Sequence, residues 1–373
     1  MPRRVKQLDL FAAVRDRGKP VATSLTHLAE QNKVNCKDGS QENNQSDVVK
    51  QDLPQGKIAS LKVCVLGSGS GGNSTLIQYG SQAMLLDAGF GPVTTARRLA
   101  QIKRTVVDTA INSPSHASQT PTSKPVPSIQ QGLTPGDIKA ICLTHLDQDH
   151  FRPTWIRTLI KHGIRVYLHR WHLRYLDRIE RAGDLHDAGL VHLFDDDPFE
   201  PIDGVTANTV ALPHDDKGTR GYRLQTANGC VGYATDLGHV PDELIKLLAG
   251  VDMLMLESNY DPHMQLTSER PYFLKQRVMG KHGHLSNEQA LAATQQITDT
   301  SSRGNPQRII LLHRSSQCNT EQLVKETFAV DGRFAKRIIH TQQRKRTQVI
   351  EVRPLNTLAR EQMGLGYDAQ TEL

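Results

Sequence analysis

A chain of 373 residues with 37% apolar side chains is long enough for one large domain or two modest ones, and its low apolar content leaves part of the length outside any core. The net charge of +6 tolerates an anionic substrate without demanding one. No run approaches the roughly 18 apolar residues that cross a bilayer, Met1–Lys19 lacks the apolar stretch of a secretory signal, and Cys36, Cys64, Cys142, Cys230 and Cys318 form no C-x-x-C pair, so a soluble cytoplasmic protein with reduced thiols is expected, with no membrane partner and no disulfide framework.

Residues 1–56 are polar, rich in Gln, Asn, Lys and Ser, and lack sustained periodicity, which predicts a disordered tail with at most a short helix around Leu8–Arg17. Strands are predicted over Leu61–Leu66, Thr75–Tyr79 and Ala83–Asp87, the first two around a Gly/Ser turn. A helix follows over Pro92–Ile102. Residues 105–135, containing SPSHASQTPTSKPVPS, read as a disordered insertion. Ile138–Thr144 is an apolar strand that runs directly into histidines. Further strands are predicted over Ile164–Leu168, Gly204–Leu212, Tyr222–Gln225, Cys230–Thr235, Met253–Glu257, Arg308–Leu312 and Thr347–Val352. Pro241–Leu248 is a predicted helix with proline at its start and Gly250 past its end. Ser286–Thr298 opens with a capping-box pattern, Ser286 with Gln289 three residues on. Residues 354–373 read as a tail. Runs of strands with helices between them point to a layered α/β or α+β domain over 57–353.

The chemistry concentrates in Thr144-His145-Leu146-Asp147-Gln148-Asp149-His150, which places His145, Asp147, Asp149 and His150 directly after a buried strand. Imidazole and carboxylate together suit divalent Zn, Mn or Fe. Three more polar residues end apolar strands: His214 after Val210-Ala211-Leu212-Pro213, Asp236 after Val231–Thr235, and His313 after Ile309–Leu312. A single histidine in such a place is usually a surface residue. Three of them following a ligand-dense motif point to a metal centre held by loops on a rigid scaffold.

Leu85-Leu86-Asp87-Ala88-Gly89, the His-rich motif, His214, Asp236 and His313, in that order, resemble the motifs of the metallo-β-lactamase superfamily. Gly67–Ser74 (GSGSGGNS), Ala234-Thr235-Asp236, Glu257–Asp261 (ESNYD) and Gly283–Asn287 (GHLSN) are similar to the YycJ/WalJ subfamily, which is associated with DNA exonuclease activity. The resemblance implies an αβ/βα four-layer sandwich with metals at the open edge between two sheets. It implies one cation held by His145, Asp147 and His214, a second by Asp149, His150 and His313, and Asp236 between them. Two divalent ions, Zn or Mn, would then share a bridging hydroxide that attacks phosphorus in line, with Asp149 among the groups holding the nucleophile's metal.

Asp87 is expected to orient this catalytic site, and His284 to contact phosphate or assist the leaving group. Ser68, Asn73 and Ser74 are expected to present donors to a substrate phosphate from a turn whose glycines permit close approach. Two departures stand out. Asp147 occupies the place of the second histidine in H-x-H-x-D-H, a harder ligand that favours Mn relative to Zn, and His313-Arg314-Ser315 replaces the usual H-L-S. The implied function is a DNA-acting phosphodiesterase, a 5′-to-3′ exonuclease of repair or replication. A hydrolase of a small cyclic phosphodiester or thioester, and a non-catalytic DNA-repair adaptor, are the alternatives. In the tail, Gln7-Leu8-Asp9-Leu10-Phe11 resembles the pentapeptide that binds the bacterial sliding clamp.

Overall fold

A computed structural model describes residues 59–103 and 132–355. The clamp-like pentapeptide Gln7–Phe11, most of the insertion and most of the C-terminal tail lie outside the described residues. In chain order the strands are β1 Leu61–Gly67, β2 Ser74–Tyr79, β3 Gln82–Leu86, β4 Ile138–Cys142, β5 Arg165–His169, β6 Val191–Phe194, β7 Phe199–Ile202, β8 Val205–Leu212, β9 Thr219–Thr226, β10 Gly229–Ala234, β11 Met253–Glu257, β12 Arg308–Leu312, β13 Ile338–His340 and β14 Ile350–Val352. The α-helices are α1 Pro92–Leu99, α2 Ile156–His162, α3 Leu173–Leu176, α4 Ala182–Asp187, α5 Asp242–Leu248, α6 Pro262–Thr267, α7 Tyr272–Met279, α8 Asn287–Asp299 and α9 Glu321–Ala329.

Two seven-stranded sheets form, in the orders β14-β1-β2-β3-β4-β5-β6 and β13-β12-β11-β10-β9-β8-β7. Both have the same pairing pattern. From β14 to β3 and from β7 to β10 neighbours are antiparallel; from β3 to β6 and from β10 to β13 they are parallel. The chain therefore builds one half-sandwich, then a second of matching topology, and its last strand returns to finish the first.

Alternation along the strands decides the layers. Val63 and Val65 of β1, Met84 and Leu86 of β3, Tyr233 of β10 and Met255 of β11 meet between the sheets. Their neighbours Cys64, Leu66 and Leu85 face out onto Leu99, Trp155, Ile156, Leu159 and Leu185 of the first helical layer. Leu254, Leu256, Ile309 and Leu311 face out onto Leu248, Leu291, Ile297, Val324 and Phe328 of the second. The result is the four-layer αβ/βα arrangement. With both faces of the central strands covered, they read as continuous apolar runs such as Met253-Leu254-Met255-Leu256. Truncating a core leucine of this kind to alanine typically costs about 2–5 kcal/mol.

The capping box at the start of α8 is formed: Ser286 Oγ accepts from the Gln289 N–H at 3.2 Å, and Gln289 Oε1 accepts from the Ser286 N–H at 2.8 Å. Leu133 is buried against Ile102 beside a bridge between Lys103 and Gly132, and Leu355 donates its N–H to Asp252 Oδ1 at 2.7 Å. Cys64, Cys142, Cys230 and Cys318 are buried free thiols, and burial pushes the Cys230 thiol up to about 11. No described helix is long and apolar enough to cross a membrane.

Candidate metal centre

The site forms where the carboxyl ends of β3, β4, β8, β10, β11 and β12 converge, the edge at which parallel strands commonly present ligands. Three strand-end residues adopt left-handed backbone: Asp87 (φ 62°), Asp236 (φ 55°) and His313 (φ 53°). Asp215, next to His214, is a fourth (φ 41°). Such conformations cost of order 1–3 kcal/mol each and persist only where the surroundings enforce them. Here they turn polar side chains away from the strand direction and toward one another.

Behind the His-rich loop sits Asp87, fully buried. Its Oδ1 accepts from the Thr144 N–H at 2.8 Å, and its Oδ2 lies 2.8 Å from His150 Nδ1. The hydroxyl of Tyr233 donates to the same Oδ2 at 3.4 Å. This pairing fixes the His150 ring with Nε2 toward Asp236, 2.7 Å from its Oδ2. His145 Nδ1 lies 2.9 Å from Thr144 Oγ1, and His214 Nδ1 lies 3.0 Å from the Gly283 carbonyl, so both rings are likewise held from behind. His313 Nε2 lies 3.3 Å from Asp149 Oδ2. Asp147 is part-exposed and pairs with Lys217 Nζ at 2.9 Å.

Side-chain donor atoms within 4.8 Å of one another form four groups among the described residues. One is His145, Asp147 and His214; another is Asp149, His150 and His313. Asp236 joins His145 and His150 in a third, and joins Glu257, His284 and His313 in the fourth. Imidazole and carboxylate donors lie about 2.0–2.2 Å from a divalent transition metal, so two donors to one ion sit up to about 4 Å apart. The donor types and their spacing fit divalent cations with small side-chain adjustment. The charge balance fits as well. Burial opposes charge on His150, but the carboxylates of Asp236, Asp87 and Asp149 outweigh it and hold the imidazole well above its ordinary range. His313 is raised in the same way, with burial overcome by Asp236, Asp149 and Glu257. Burial also pushes Asp236 up, yet His313 and His150 hold it well below the usual carboxylate range. His145, buried beside His150, is depressed well below its ordinary value.

A cleft of about 220 Å³ opens over these groups, lined by His145, Asp147, Asp149, His214, Asp236, His284 and His313 together with Ser70, Asp215 and Arg277. His284 lines the cleft, with Nδ1 2.8 Å from Glu257 Oε1 and its ring stacked on His313. Ser68, Asn73 and Ser74 have a different place from the one expected. All three are buried behind the ligand loops rather than lining the cleft. Ser68 Oγ accepts from the His313 N–H at 2.7 Å and donates to Asn73 Oδ1 at 2.8 Å. The Asn73 N–H donates to the Asp149 carbonyl at 2.7 Å. Ser68 and Asn73 brace the site, and Ser70 is the residue of that turn which reaches the cleft. Gly89 belongs to the same brace: a Cβ there would fall 1.7 Å from the Asp149 carbonyl oxygen, so the tight approach of the two loops needs glycine.

Sequence reasoning assigned no role to Glu257 or Asn259. Glu257 is fully buried and accepts from the N–H groups of Leu237 (3.1 Å) and Leu285 (3.3 Å), with His284 and His313 also on its Oε1. Asn259 Nδ2 donates to the His313 carbonyl at 2.7 Å. The available signal for Glu257 was an acidic residue ending an otherwise apolar strand, the same signature that marked Asp236.

Residues 84–313 match the family model of the Beta-lactamase superfamily domain. The chain is 23% identical over 267 residues to exodeoxyribonuclease WalJ of Streptococcus pneumoniae, covering 72% of this chain and 86% of that one. It is 23% identical over 266 residues to exodeoxyribonuclease YycJ of Bacillus anthracis, covering 71% and 86%. Among solved structures, the metallo-β-lactamase fold protein YhfI of Bacillus subtilis superposes with a TM-score of 0.51 at 15% identity, covering 79% of this chain and 99% of that one.

Proposed function

This chain belongs to the beta-lactamase superfamily and is a metallo-hydrolase, and from that premise we propose that it is a metal-dependent phosphodiesterase acting as a DNA exonuclease. The observation that carries the reading is the pair of three-donor groups, His145/Asp147/His214 and Asp149/His150/His313, with Asp236 common to their surroundings and a cleft above them. The exodeoxyribonuclease names of its relatives support a phosphodiester substrate among the many hydrolyses that this fold hosts.

In this reading the two triads would each hold one divalent cation and Asp236 would serve both. Bound there, the cations would supply Lewis acidity to the phosphoryl oxygens and acidify the attacking water. The chain's own groups do the rest. Asp87 keeps His150 in one ring orientation. Glu257 holds His284 by Nδ1, leaving Nε2 as the nitrogen available to a phosphate oxygen or a departing one. The decisive assay offers end-labelled single- and double-stranded DNA, RNA and bis-p-nitrophenyl phosphate to the protein with Mn or Zn. Mononucleotides released from one DNA end, and lost with chelator, are expected. Hydrolysis of the small diester alone would make this a small-molecule enzyme, and inactivity with every metal would leave the adaptor reading.

Asp147 should set the metal preference, because it is the oxygen ligand of an otherwise all-histidine triad. Asp147→His is expected to keep hydrolysis and move the optimum from Mn toward Zn, and Asp147→Ala to weaken metal binding by at least the roughly 10- to 100-fold that losing even an outer-shell partner costs. Superimposable metal titrations of all three proteins would remove Asp147 from the coordination sphere.

A place in DNA repair or replication rests on the N-terminal Gln7-Leu8-Asp9-Leu10-Phe11. Burying Leu10 and Phe11 in an apolar pocket contributes about 3–6 kcal/mol before ordering costs, which suits a micromolar tether. A Met1–Lys19 peptide is expected to bind purified sliding clamp by calorimetry, and the Leu10→Ala, Phe11→Ala double variant to lose that heat. Silence from the native peptide at high-micromolar concentration would leave the reading on the active site alone.

A further inference from the structure

The replacement of the usual leucine by Arg314, directly after His313, is absorbed by nothing in the metal centre. Arg314 instead lines a polar hollow of about 610 Å³ together with Ser70, Gly71, Gln343 and Arg344. Ser70 also lines the catalytic cleft. Arg344 in turn lines the next hollow along, of about 330 Å³, with Arg98, Lys345 and Arg346. The cleft and the two hollows thus adjoin in series, sharing Ser70 and then Arg344, and together carry five cations along this path.

The trough is built before any ligand arrives. The segment that carries Arg344–Arg346 is anchored at both ends, by the Ser68 N–H on the Gln342 carbonyl at 3.3 Å and by the Thr347 N–H on the Val65 carbonyl at 2.9 Å. Gln343 lies so close to the glycine turn that a Cβ on Gly71 would fall 1.7 Å from its Nε2. The charges along this path are poorly compensated. Arg98 donates to the Leu66 and Gln343 carbonyls, and Arg346 to Gln101 and the Thr347 carbonyl, all neutral acceptors. Arg344 and Lys345 have no carboxylate partner among the described residues. Arg314 has Glu321 at 3.6 Å and a buried Nε without a hydrogen-bond acceptor. The opposite rim of the cleft differs. There Arg277 is paired with Asp215 at 2.5 Å and Lys217 with Asp147 at 2.9 Å. A repeating anion leaving the cleft at Ser70 meets a row of cations with little carboxylate compensation.

We propose that the trough from Ser70 through Arg314 and Arg344 to Lys345 and Arg346 carries the sugar-phosphate backbone of a single nucleic-acid strand into the metal centre. This deepens the nuclease reading and rests on it for the identity of the strand, but it is testable without turnover. Phosphate contacts by arginine and lysine position a strand without reading its bases, so binding is sequence-tolerant and strongly salt-dependent.

The test is binding of the full-length, metal-free protein to a fluorescein-labelled oligodeoxynucleotide, followed by anisotropy across a salt series. The Arg344→Gln, Lys345→Gln double variant alters two surface side chains only. It is compared with Arg157→Gln, Lys161→Gln, which removes the same charge from exposed positions of α2 in the first helical layer. The expected result is a several-fold loss of affinity in the trough variant alone, with a salt slope shallower by about 1.4, at roughly 0.7 per lost single-strand contact. Equal losses in both variants, no loss in the trough variant, or no binding by the native protein would each overturn the proposal. A native protein that binds through the trough yet degrades no DNA with any metal would overturn the nuclease reading and leave the trough standing. DNA degradation with an unaffected trough variant would do the reverse.

Discussion

Asp149→Asn and His150→Ala are each expected to lower hydrolysis by about a thousandfold or more, the upper end of what removing one electrostatic contributor to a transition state usually costs. Both residues belong to the same three-donor group with His313, and His150 also reaches Asp236, as His313 does, and, from behind, Asp87. Asp149→Asn is the cleaner change. It preserves shape, removes one anionic donor and leaves the Asn73 N–H bonded to the Asp149 main chain. His150→Ala goes further, because three carboxylates that the imidazole now faces lose their common partner. Circular dichroism should show both variants folded, and bound metal per chain should fall in each. Full activity in either variant at unchanged metal content would sink the assignment of the second cation's ligands.

Glu257→Ala is expected to destabilise the metal-free protein by about 3–5 kcal/mol, the usual scale for breaking a buried charge cluster by removing one partner. The carboxylate has no exposure to solvent and is the acceptor for two backbone N–H groups as well as two imidazoles. Without it, donors at Leu237 and Leu285 are left unpaired, each at about 1–3 kcal/mol. Glu257→Gln keeps an acceptor in place and is expected to lose roughly half as much. Urea denaturation of the three proteins at one pH separates these values. Stabilities within about 0.5 kcal/mol of the native protein in both variants would show that Glu257 is not a support of the site. A catalytic defect should accompany the loss even at saturating metal, since His284 and His313 depend on the same oxygen.

Much of this centre was legible in the chain because fully covered strands are near-continuous apolar runs. Any histidine or carboxylate that ends such a run stands out against its surroundings, as His145, His214, Asp236 and His313 do, and Asp147, Asp149 and His150 stand out by their density in the loop that follows His145. The strand limits were legible for the same reason: Arg308–Leu312 and Met253–Glu257 fall at the residues where pattern alone put them. Short elements were not. β6, β7 and β13 have three or four residues, too few for a period to show, and α2, α6 and α7 are short surface helices whose apolar faces are narrow.

What only the tertiary structure decided is who stands behind whom. Ser68 and Asn73 brace the ligands instead of facing substrate, because a glycine-rich turn can be tight for the sake of a neighbouring loop as readily as for a ligand. Glu257, an unremarked strand-end acid, became the common acceptor for His284 and His313, 27 and 56 positions away in sequence. Ser70, Arg314 and Arg344 line one hollow although they come from three separate segments. Sequence records which side chains can bind a cation or a phosphate. Their shared direction arises from strand pairing and from left-handed turns at Asp87, Asp236 and His313, which are long-range consequences of packing two sheets face to face.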